Sequence, residues 1–269
     1  MSSLVAQNVT VTFGGVRALD SVSMEIPVGK LVGLIGPNGA GKTTCIDALS
    51  GFVQAKGSIA VADQSLKGLP AYRRFRSGVS RTFQAQELFD DLTVRENLSV
   101  ASSKTRWWSM LTDIALPPQK VETPEIDAVA AEFGLEALLD ELPTSLSLGQ
   151  QKLVSVARSV VSRPDFLLLD EPAAGLDTDA TRELSPLLRK IAAQGIGVLL
   201  VDHDMGLVLN ACDYIYVLEF GKIIAEGTPA QVRTDPKVVA AYLGKQELPE
   251  DITQDAIALS ENRIPDEVA

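Results

Sequence analysis

A glycine-rich segment directly after a short apolar run is the feature of this sequence that most narrows the choice of fold. The apolar run, KLVGLI at residues 30–35, has the composition of a strand buried on both faces. A helix-compatible stretch follows Gly41 and ends at Ser50, where Gly51 suits a C-cap. Strand, glycine-rich loop and helix in this order match a phosphate-binding loop. The loop residues are Gly36, Pro37, Asn38, Gly39, Ala40, Gly41, Lys42, Thr43 and Thr44.

The residue types in this loop suit the binding of phosphate groups. Glycines allow backbone N–H groups to curl around phosphates, and the N-terminus of the following helix adds positive potential. Lys42 supplies a mobile charge for the outer phosphates, and the hydroxyl of Thr43 is a ligand that Mg²⁺ accepts. The segment therefore predicts a site for a nucleotide and its magnesium ion.

The rest of the chain alternates between strand and helix patterns, which favours an α/β fold with a mostly parallel sheet. The stretch from about 85 to 161 has no strand pattern, so we interpret it as a helical insertion. Pro186 lies within a helical pattern, where we expect the helix to kink or restart. Strands are predicted for NVTVTF, SVSMEI and GSIAVA near the N-terminus and for 79–83, 166–169, 197–201 and 214–218. Helices are predicted for 125–133, 149–161, 179–193 and 204–212.

Two adjacent carboxylates follow the apolar run FLLL at residues 166–169. A buried strand would hold Asp170 rigidly beside a metal ion, where a carboxylate is needed. Glu171 comes one residue later, where it could orient or deprotonate an attacking water molecule. The acids alone would be a weak signal, but after an upstream phosphate-binding loop they predict nucleotide hydrolysis.

The composition limits the classes of partner. The formal net charge of −11 argues against bulk nucleic-acid binding. No apolar run reaches the roughly 18 residues of a membrane helix, and the N-terminus lacks a signal-peptide pattern. Cys45 and Cys212 form no metal or redox spacing, so we expect both to be small buried side chains. The acidic segment 246–269 is expected to be a solvated tail.

A further motif completes a recognisable set. Leu146-Ser147-Leu148-Gly149-Gln150 precedes a helix and resembles the LSGGQ signature of ABC transporter ATPases, with Leu148 in place of a glycine. The resemblance extends from Phe13 to about Gly244. It implies an α/β fold with a P-loop NTPase core, a mostly parallel sheet, an N-terminal antiparallel β subdomain and an inserted α-helical subdomain. The domain would span 1–245, with the helical subdomain at about 85–161.

The family likeness assigns further roles by position. Phe13 matches the aromatic residue that stacks on adenine, and Gln84 matches the glutamine that senses the metal and the water. Asp177 matches the loop that crosses the dimer interface, and His203 matches the histidine at the γ-phosphate. Glu171, His203 and Gln84 would then be catalytic, while Thr43, Gln84 and Asp170 would hold Mg²⁺. Ser147, Gly149 and Gln150 would bind ATP that is held by a second ATPase subunit, identical or paralogous.

The resemblance also implies a membrane partner. The region from Gln84 to Leu98 would contact permease subunits at the cytoplasmic face of the inner membrane. Phe89 is followed by Asp90 and Asp91, which suggests a surface loop, so we expect its ring to contact the permease. Trp107 and Trp108 remain open between a core role and a partner or membrane contact.

Two segments of the sequence resemble those of branched-chain amino acid importer ATPases in particular. They are SRTFQAQELFDDLTVRENL and GKIIAEGTPAQVRTDPKVVAAYLG. Related ATPases for urea uptake or lipopolysaccharide export share much of these segments and stay as alternatives. A DNA-maintenance ATPase would need a long coiled coil between loop and signature, and no sustained heptads occur there. A non-hydrolysing regulatory subunit is the third class, although Glu171, Gln84 and His203 are all present.

Overall fold

The structure is a computed structural model that describes residues 2–82, 88–102 and 124–243. Its strands, numbered in chain order, form two sheets. They are β1 (Ser3–Phe13), β2 (Val16–Pro27), β3 (Leu31–Ile35), β4 (Lys56–Val61), β5 (Gln64–Ser65), β6 (Val79–Arg81), β7 (Phe166–Asp170), β8 (Gly197–Val201), β9 (Tyr214–Glu219) and β10 (Lys222–Gly227).

Helices cover the faces of these sheets. They are α1 (Lys42–Ser50), α2 (Ala71–Arg76), α3 (Val94–Val100), α4 (Pro124–Phe133), α5 (Leu148–Val161), α6 (Thr178–Ala193), α7 (Met205–Ala211), α8 (Pro229–Thr234) and α9 (Pro236–Leu243). Short 3₁₀ turns lie at Glu136–Leu138 and Pro143–Ser145. Among the residues described, no helix combines the length and apolar character that crossing a membrane needs.

The larger sheet has the strand order β10-β9-β3-β8-β7-β6, and all neighbours in it are parallel except β9 and β10. The smaller sheet, β2-β1-β4-β5, is antiparallel. The predictions of a mostly parallel sheet and an N-terminal antiparallel sheet are therefore confirmed. The strand β10 was missed, because its pattern in the sequence is weak and its residues are only half-buried.

The central strands are buried on both faces, as the continuous apolar runs predicted. In β3, Leu31 and Ile35 belong to one core, which the helices cover, whereas Val32 and Leu34 belong to the core between the two sheets. The same alternation holds in β7 and β8. Side chains in the middle of these strands are therefore used for packing, and polar groups are left to the strand ends.

The stretch between β6 and β7 is helical where it is described. Residues 88–102 and 124–161 contain α3, α4, α5 and the 3₁₀ turns, without a strand. The limits given above for an inserted subdomain stay a prediction. Trp107 and Trp108 lie outside the described residues, as does the acidic tail.

One helix behaves differently from its sequence pattern. The helix α6 is continuous from Thr178 to Ala193, so it does not restart at Pro186, and the alternative of a kink there stays a prediction. The proline removes one backbone hydrogen bond. Leu184 and Leu188 on either side of it are buried in the core, and this packing offsets that loss.

A buried asparagine fixes the loop that leads into α3. The Asn97 side-chain amide donates to the carbonyl oxygens of Phe89 (3.1 Å), Leu92 (2.9 Å) and Thr93 (3.1 Å). Its carbonyl oxygen accepts from the Phe89 N–H at 2.9 Å. Asn97 is fully buried, so water cannot replace these bonds. The loop that bears Phe89 is therefore held by one side chain.

Asn97→Ala should lower the free energy of unfolding by about 1–3 kcal/mol, because buried backbone groups lose their partners. Urea denaturation of the purified protein measures this. The control is Val100→Ala, at an exposed position of the same helix, where a change within about 0.5 kcal/mol is expected. Equal stability of the two variants would contradict the role given to Asn97.

Candidate active site

The phosphate-binding loop leaves the carboxyl end of β3 in a backbone conformation that only glycine accepts. Gly36 has φ 156° and Gly41 has φ 109°. A Cβ atom added at Gly36 would lie 2.0 Å from the carbonyl oxygen of Leu218 at the end of β9. The loop is thus pressed against the neighbouring strand, which leaves no room for a side chain. This contact sets the path of the chain into α1.

Lys42, the first residue of α1, lies against the inside of the loop. Its ammonium donates to the carbonyl oxygens of Gly36 (2.6 Å) and Pro37 (3.3 Å), and the residue is 7% exposed. The hydroxyl-bearing Thr43 beside it is exposed. The loop therefore places the buried ammonium of Lys42 and the exposed side chain of Thr43 at the N-terminus of a helix, an arrangement that favours the binding of anions.

An open cavity of about 440 Å³ lies over the loop. Its size is that of a small-molecule site. Its walls are the loop and α1 start, Glu171 and the two hairpins of the sheets. The lining residues are Val16, Arg17, Ala18, Asn38, Gly39, Ala40, Gly41, Lys42, Thr43, Thr44, Glu171, Phe220 and Gly221.

Phe13, which is predicted to stack on adenine, lies outside the lining of this cavity, and its role stays a prediction. The residue ends β1 and is half-exposed. Phe220 lines the cavity instead and is 84% exposed. It forms the β9–β10 turn together with Gly221, both at positive φ. A glycine after an aromatic residue between two strand patterns was the available signal for this turn.

The two predicted carboxylates lie at the end of β7, beside β8. Asp170 is buried, and its Oδ2 accepts from Arg81 at 2.9 Å. Burial raises the pKa of Asp170, and the neighbouring guanidinium opposes that rise. The other oxygen, Oδ1, is buried and has no hydrogen-bond partner among the described residues. One carboxylate oxygen is thus available to a ligand.

Glu171 has a backbone conformation that is unusual for a residue with a side chain. Its φ is +50°, and its N–H donates to the Val201 carbonyl oxygen at 2.7 Å. Such a conformation costs on the order of 1–3 kcal/mol and is concentrated at functional sites. The turn directs Glu171 to the cavity over the loop.

Lys152, which no sequence motif indicated, donates hydrogen bonds to carbonyl groups of this turn. Lys152 of α5 is 7% exposed and donates to the carbonyl oxygens of Ala174 and Glu171. Burial lowers the pKa of Lys152, while the negative charges of Asp202 and Glu171 oppose that shift. The available signal was a charged residue on the helical face that also carries Val156 and Val160.

The only histidine of the chain follows β8 at the same edge. The side chain of His203 is 58% exposed, with Nδ1 3.6 Å from Oδ1 of Asp202. Asp202 is fully buried and accepts from the N–H groups of Ala173 (3.1 Å) and Asp204 (3.0 Å). Burial raises the pKa of Asp202, and these backbone bonds oppose the rise. Asp202, also missed, therefore orders the backbone after both β7 and β8.

The signature residues do not reach this cavity in the single chain. Ser147 caps α5 and exchanges hydrogen bonds with Gln150, at 2.9 and 3.3 Å. Gly149 has the side chain of Leu176 as a neighbour, and Asp177 caps α6 through the Ala180 N–H at 2.8 Å. Ser147 and Asp177 are exposed. Gln84 lies outside the described residues, so its predicted role is not addressed by the geometry.

The residues present fit a magnesium ion that a nucleotide brings with it. The unpaired Oδ1 of Asp170 and the exposed Thr43 are oxygen donors of the type that Mg²⁺ prefers. The described residues contain no group of three or more His, Cys, Asp or Glu side chains that could hold a metal ion. The ion would therefore depend on phosphate and water for its remaining ligands, as is usual for Mg²⁺.

Cys45 and Cys212 have no part in this site. Both are buried and free, as the sequence predicted. Burial raises the pKa of Cys45 to about 12, so its thiol is unreactive.

Comparisons with known proteins agree on one family. The ABC transporter family model matches residues 19–174, and a model described as a branched-chain amino acid ATP-binding cassette transporter matches residues 222–247. The high-affinity branched-chain amino acid transport ATP-binding protein LivG of Escherichia coli (strain K12) is 39% identical over 240 residues, which cover 87% of this chain and 94% of LivG.

Two further matches extend this result. The lipopolysaccharide export system ATP-binding protein LptB of Haemophilus influenzae is 35% identical and covers 91% of this chain and 99% of its own length. A crystal structure of the ADP conformation of an ATP-binding cassette from an ABC transporter superposes with a TM-score of 0.80 at 31% identity. That match covers 91% of this chain and 100% of the solved one.

Gly36→Ala should lower the melting temperature by roughly 6–12 °C, the effect of about 3 kcal/mol of overpacking, because its Cβ meets backbone. The matched control is Gly39→Ala in the same loop. Gly39 has φ 81° but no heavy atom within 4 Å of an added Cβ, so only a backbone penalty of about 1–2 kcal/mol applies. Thermal denaturation followed by fluorescence compares the two. Equal shifts would mean that the approach to Leu218 is not limiting.

Proposed function

Because this chain belongs to the ABC transporter ATP-binding family, we propose that it hydrolyses MgATP to power a membrane importer of branched-chain or related amino acids. The observation that carries the ATPase proposal is the meeting of three groups at one sheet edge. They are the loop after β3, the carboxylates at the end of β7 and His203 after β8. The match at residues 222–247 supports the branched-chain substrate class.

Binding would use the phosphate loop and the cavity above it. The N–H groups at the start of α1 would bind the phosphates, with the Lys42 ammonium moving from the loop carbonyls to the outer phosphate oxygens. Phe220 and Val16, both exposed at the cavity, offer apolar surface to the adenine, beside the contact expected from Phe13. A bound Mg²⁺ would neutralise phosphate charge, held by Thr43, Asp170 and Gln84.

Hydrolysis would depend on Glu171 as general base for the attacking water. Its strained turn is tied to β8 through Val201 and to α5 through Lys152, which supports a fixed position for the carboxylate. His203 would donate to the γ-phosphate as charge develops on it, and Gln84 would help to orient the water.

A second ATPase subunit would complete each site. Ser147 and Asp177 are exposed and are absent from the cavity lining, which supports a role at a subunit interface rather than at the chain's own nucleotide. The partner's Ser147, Gly149 and Gln150 would bind the γ-phosphate of this chain's ATP. Two such contacts related by a two-fold axis would enclose two ATP molecules.

The permease would bind an apolar groove beside β6, named here the docking groove. Phe52, Tyr72, Phe75, Arg81 and Arg158 line this groove, which has a volume of about 350 Å³. Its three aromatic side chains are 43–58% exposed. Exposed apolar residues clustered in this way are typical of a protein contact. Such a contact would hold the chain at the cytoplasmic face of the inner membrane.

Phe89 extends this surface. The ring is 49% exposed, and the guanidinium carbon of Arg158, a groove residue, lies 5.7 Å from its centre. Leu88, Val94 and Leu98 from the same region are buried and serve the core, whereas Leu92 is half-buried. Among the described residues of the predicted contact region, Phe89 is thus the most exposed large apolar side chain.

Glu171→Gln should reduce steady-state ATP hydrolysis by about 10²–10⁴-fold, because it removes the base but keeps the side-chain shape. Phosphate release measures turnover, and titration with a fluorescent ATP analogue should show that MgATP binding is retained. Lys42→Ala is the contrasting variant, expected to weaken nucleotide binding itself. Turnover like that of the wild type in Glu171→Gln would refute this assignment.

Phe89→Ala should leave the ATPase activity of the free subunit nearly unchanged but impair its assembly with the permease. Co-purification with the permease and ATPase assays of the free subunit measure the two effects. Leu142→Ala, another exposed apolar position in the helical region, is the control and should assemble normally. Unchanged assembly and transport in Phe89→Ala would exclude a docking role.

The choice between import and export needs a different experiment. The similarity to LptB keeps lipopolysaccharide export as the second candidate. Reconstitution with the permease subunits of a branched-chain amino acid importer, followed by ATPase assays with a binding protein loaded with leucine, isoleucine or valine, tests import. Stimulation by urea-loaded binding protein instead would favour the urea alternative.

A further inference from the structure

Arg81, the last residue of β6, connects three separate parts of the molecule. Its side chain is only 10% exposed. One guanidinium nitrogen, Nη2, donates to Oδ2 of Asp170 at 2.9 Å. The other, Nη1, pairs with Oδ1 of Asp47 and lies 3.4 Å from Oγ of Ser50. Since Asp47 and Ser50 belong to α1, the guanidinium links the helix after the phosphate loop to the carboxylate at the end of β7.

This arrangement decides which oxygen of Asp170 is available. Oδ2 is taken by Arg81, while Oδ1 is buried and lacks a hydrogen-bond partner among the described residues. A buried carboxylate oxygen without a partner is costly unless a ligand uses it. The guanidinium of Arg81 therefore fixes the orientation of the Asp170 carboxylate, and with it the direction in which Oδ1 points.

The same side chain is part of the docking groove. Arg81 lines the groove, and its guanidinium carbon lies 5.5 Å from the centre of the Phe52 ring, which is 53% exposed. A partner that covers Phe52 would also exclude water from the guanidinium. Because charge interactions strengthen when water is excluded, the pairs with Asp170 and Asp47 would become tighter.

A purely stabilising role explains this arrangement poorly. Buried ion pairs contribute little net stability, since removing both charges from water offsets their attraction. What a guanidinium adds over other cations is geometry, because its planar fork can hold two carboxylates in a fixed relation. Lysine, a point charge, cannot reproduce that relation. The value of Arg81 should thus appear in the position of Asp170 rather than in stability.

We propose that Arg81 is a positioning residue: by pairing with both Asp47 of α1 and Asp170, it orients Asp170 toward the magnesium ion. Through the same side chain, a partner bound in the docking groove would strengthen Mg²⁺ binding. This inference rests on the proposed function, since it takes Asp170 as a magnesium group and the groove as the permease contact. Arg81 itself touches neither nucleotide nor water in this role.

The first test uses the full chain and Arg81→Lys, which keeps the charge but loses the fork. Binding of a fluorescent ATP analogue is measured as Mg²⁺ is titrated, and again in the presence of EDTA. The Mg²⁺ concentration for half-maximal binding should rise about ten-fold or more, as is typical when the partner of a metal ligand is lost. Binding without Mg²⁺ should stay within about two-fold, because the loop and Lys42 are untouched.

Two further variants make the result specific. Arg76→Lys, the same substitution at an exposed arginine of α2 beside the groove, should leave the Mg²⁺ midpoint unchanged. Arg81→Met removes the charge as well and should raise the midpoint at least as much as Arg81→Lys. If Arg81→Lys behaves like the wild type, charge alone suffices and the positioning role is wrong. If Mg²⁺-free binding falls as much as Mg²⁺-dependent binding, the residue is merely structural and the proposal is also wrong.

The second test addresses the groove. The Mg²⁺ midpoint of the wild-type subunit should fall roughly three-fold on assembly with the permease, because the covered ion pairs are less screened. Arg81→Lys should show no such fall. An identical midpoint in the free and assembled wild type would overturn the link to the groove. A wild-type chain that binds no MgATP at all would instead refute the proposed function itself, which distinguishes the two failures.

Discussion

The burial of β3, β7 and β8 on both faces is the constraint on which the rest of this structure depends. Side chains along these strands alternate between two cores, so none of them is available for chemistry. Reactive groups can therefore occur only where the strands end, and parallel neighbours end at one edge. The glycine loop, the carboxylates Asp170 and Glu171, and His203 are neighbours for that reason alone. The helices and the second sheet serve mainly to keep water from the two faces.

Much of this architecture could be predicted from local sequence. The apolar runs, the glycines and the acids after a strand are patterns that span only a few residues, so they can be identified from the sequence alone. The family resemblance based on them is confirmed. What was missed depends on residues far apart in the chain. Arg81 and Asp170 pair across 89 positions, and Lys152 reaches carbonyl groups about twenty residues away. No local pattern encodes such partners, because they are chosen by the packing of strands and helices.

The contrast between Phe13 and Phe220 has the same origin. Phe13 was assigned by its position relative to a family motif, whereas Phe220 depends on a hairpin whose second strand is only half-buried. A weakly patterned strand gives little periodic signal, and the residue at its turn was therefore overlooked. The continuous helix through Pro186 is the opposite case. There a strong local rule allowed a restart that does not occur, because buried leucines on both sides of the proline keep the helix continuous.

The left-handed backbone at Glu171 carries a consequence for how such a sequence can change. A glycine or asparagine would occupy that conformation with less strain, and the chain would gain stability from either. Neither residue can accept a proton as a carboxylate does. Under the proposed role of Glu171 as general base, stability and turnover are therefore opposed at this single position. Under that role, selection for heat resistance alone would replace the glutamate, and only selection for ATP hydrolysis would retain it.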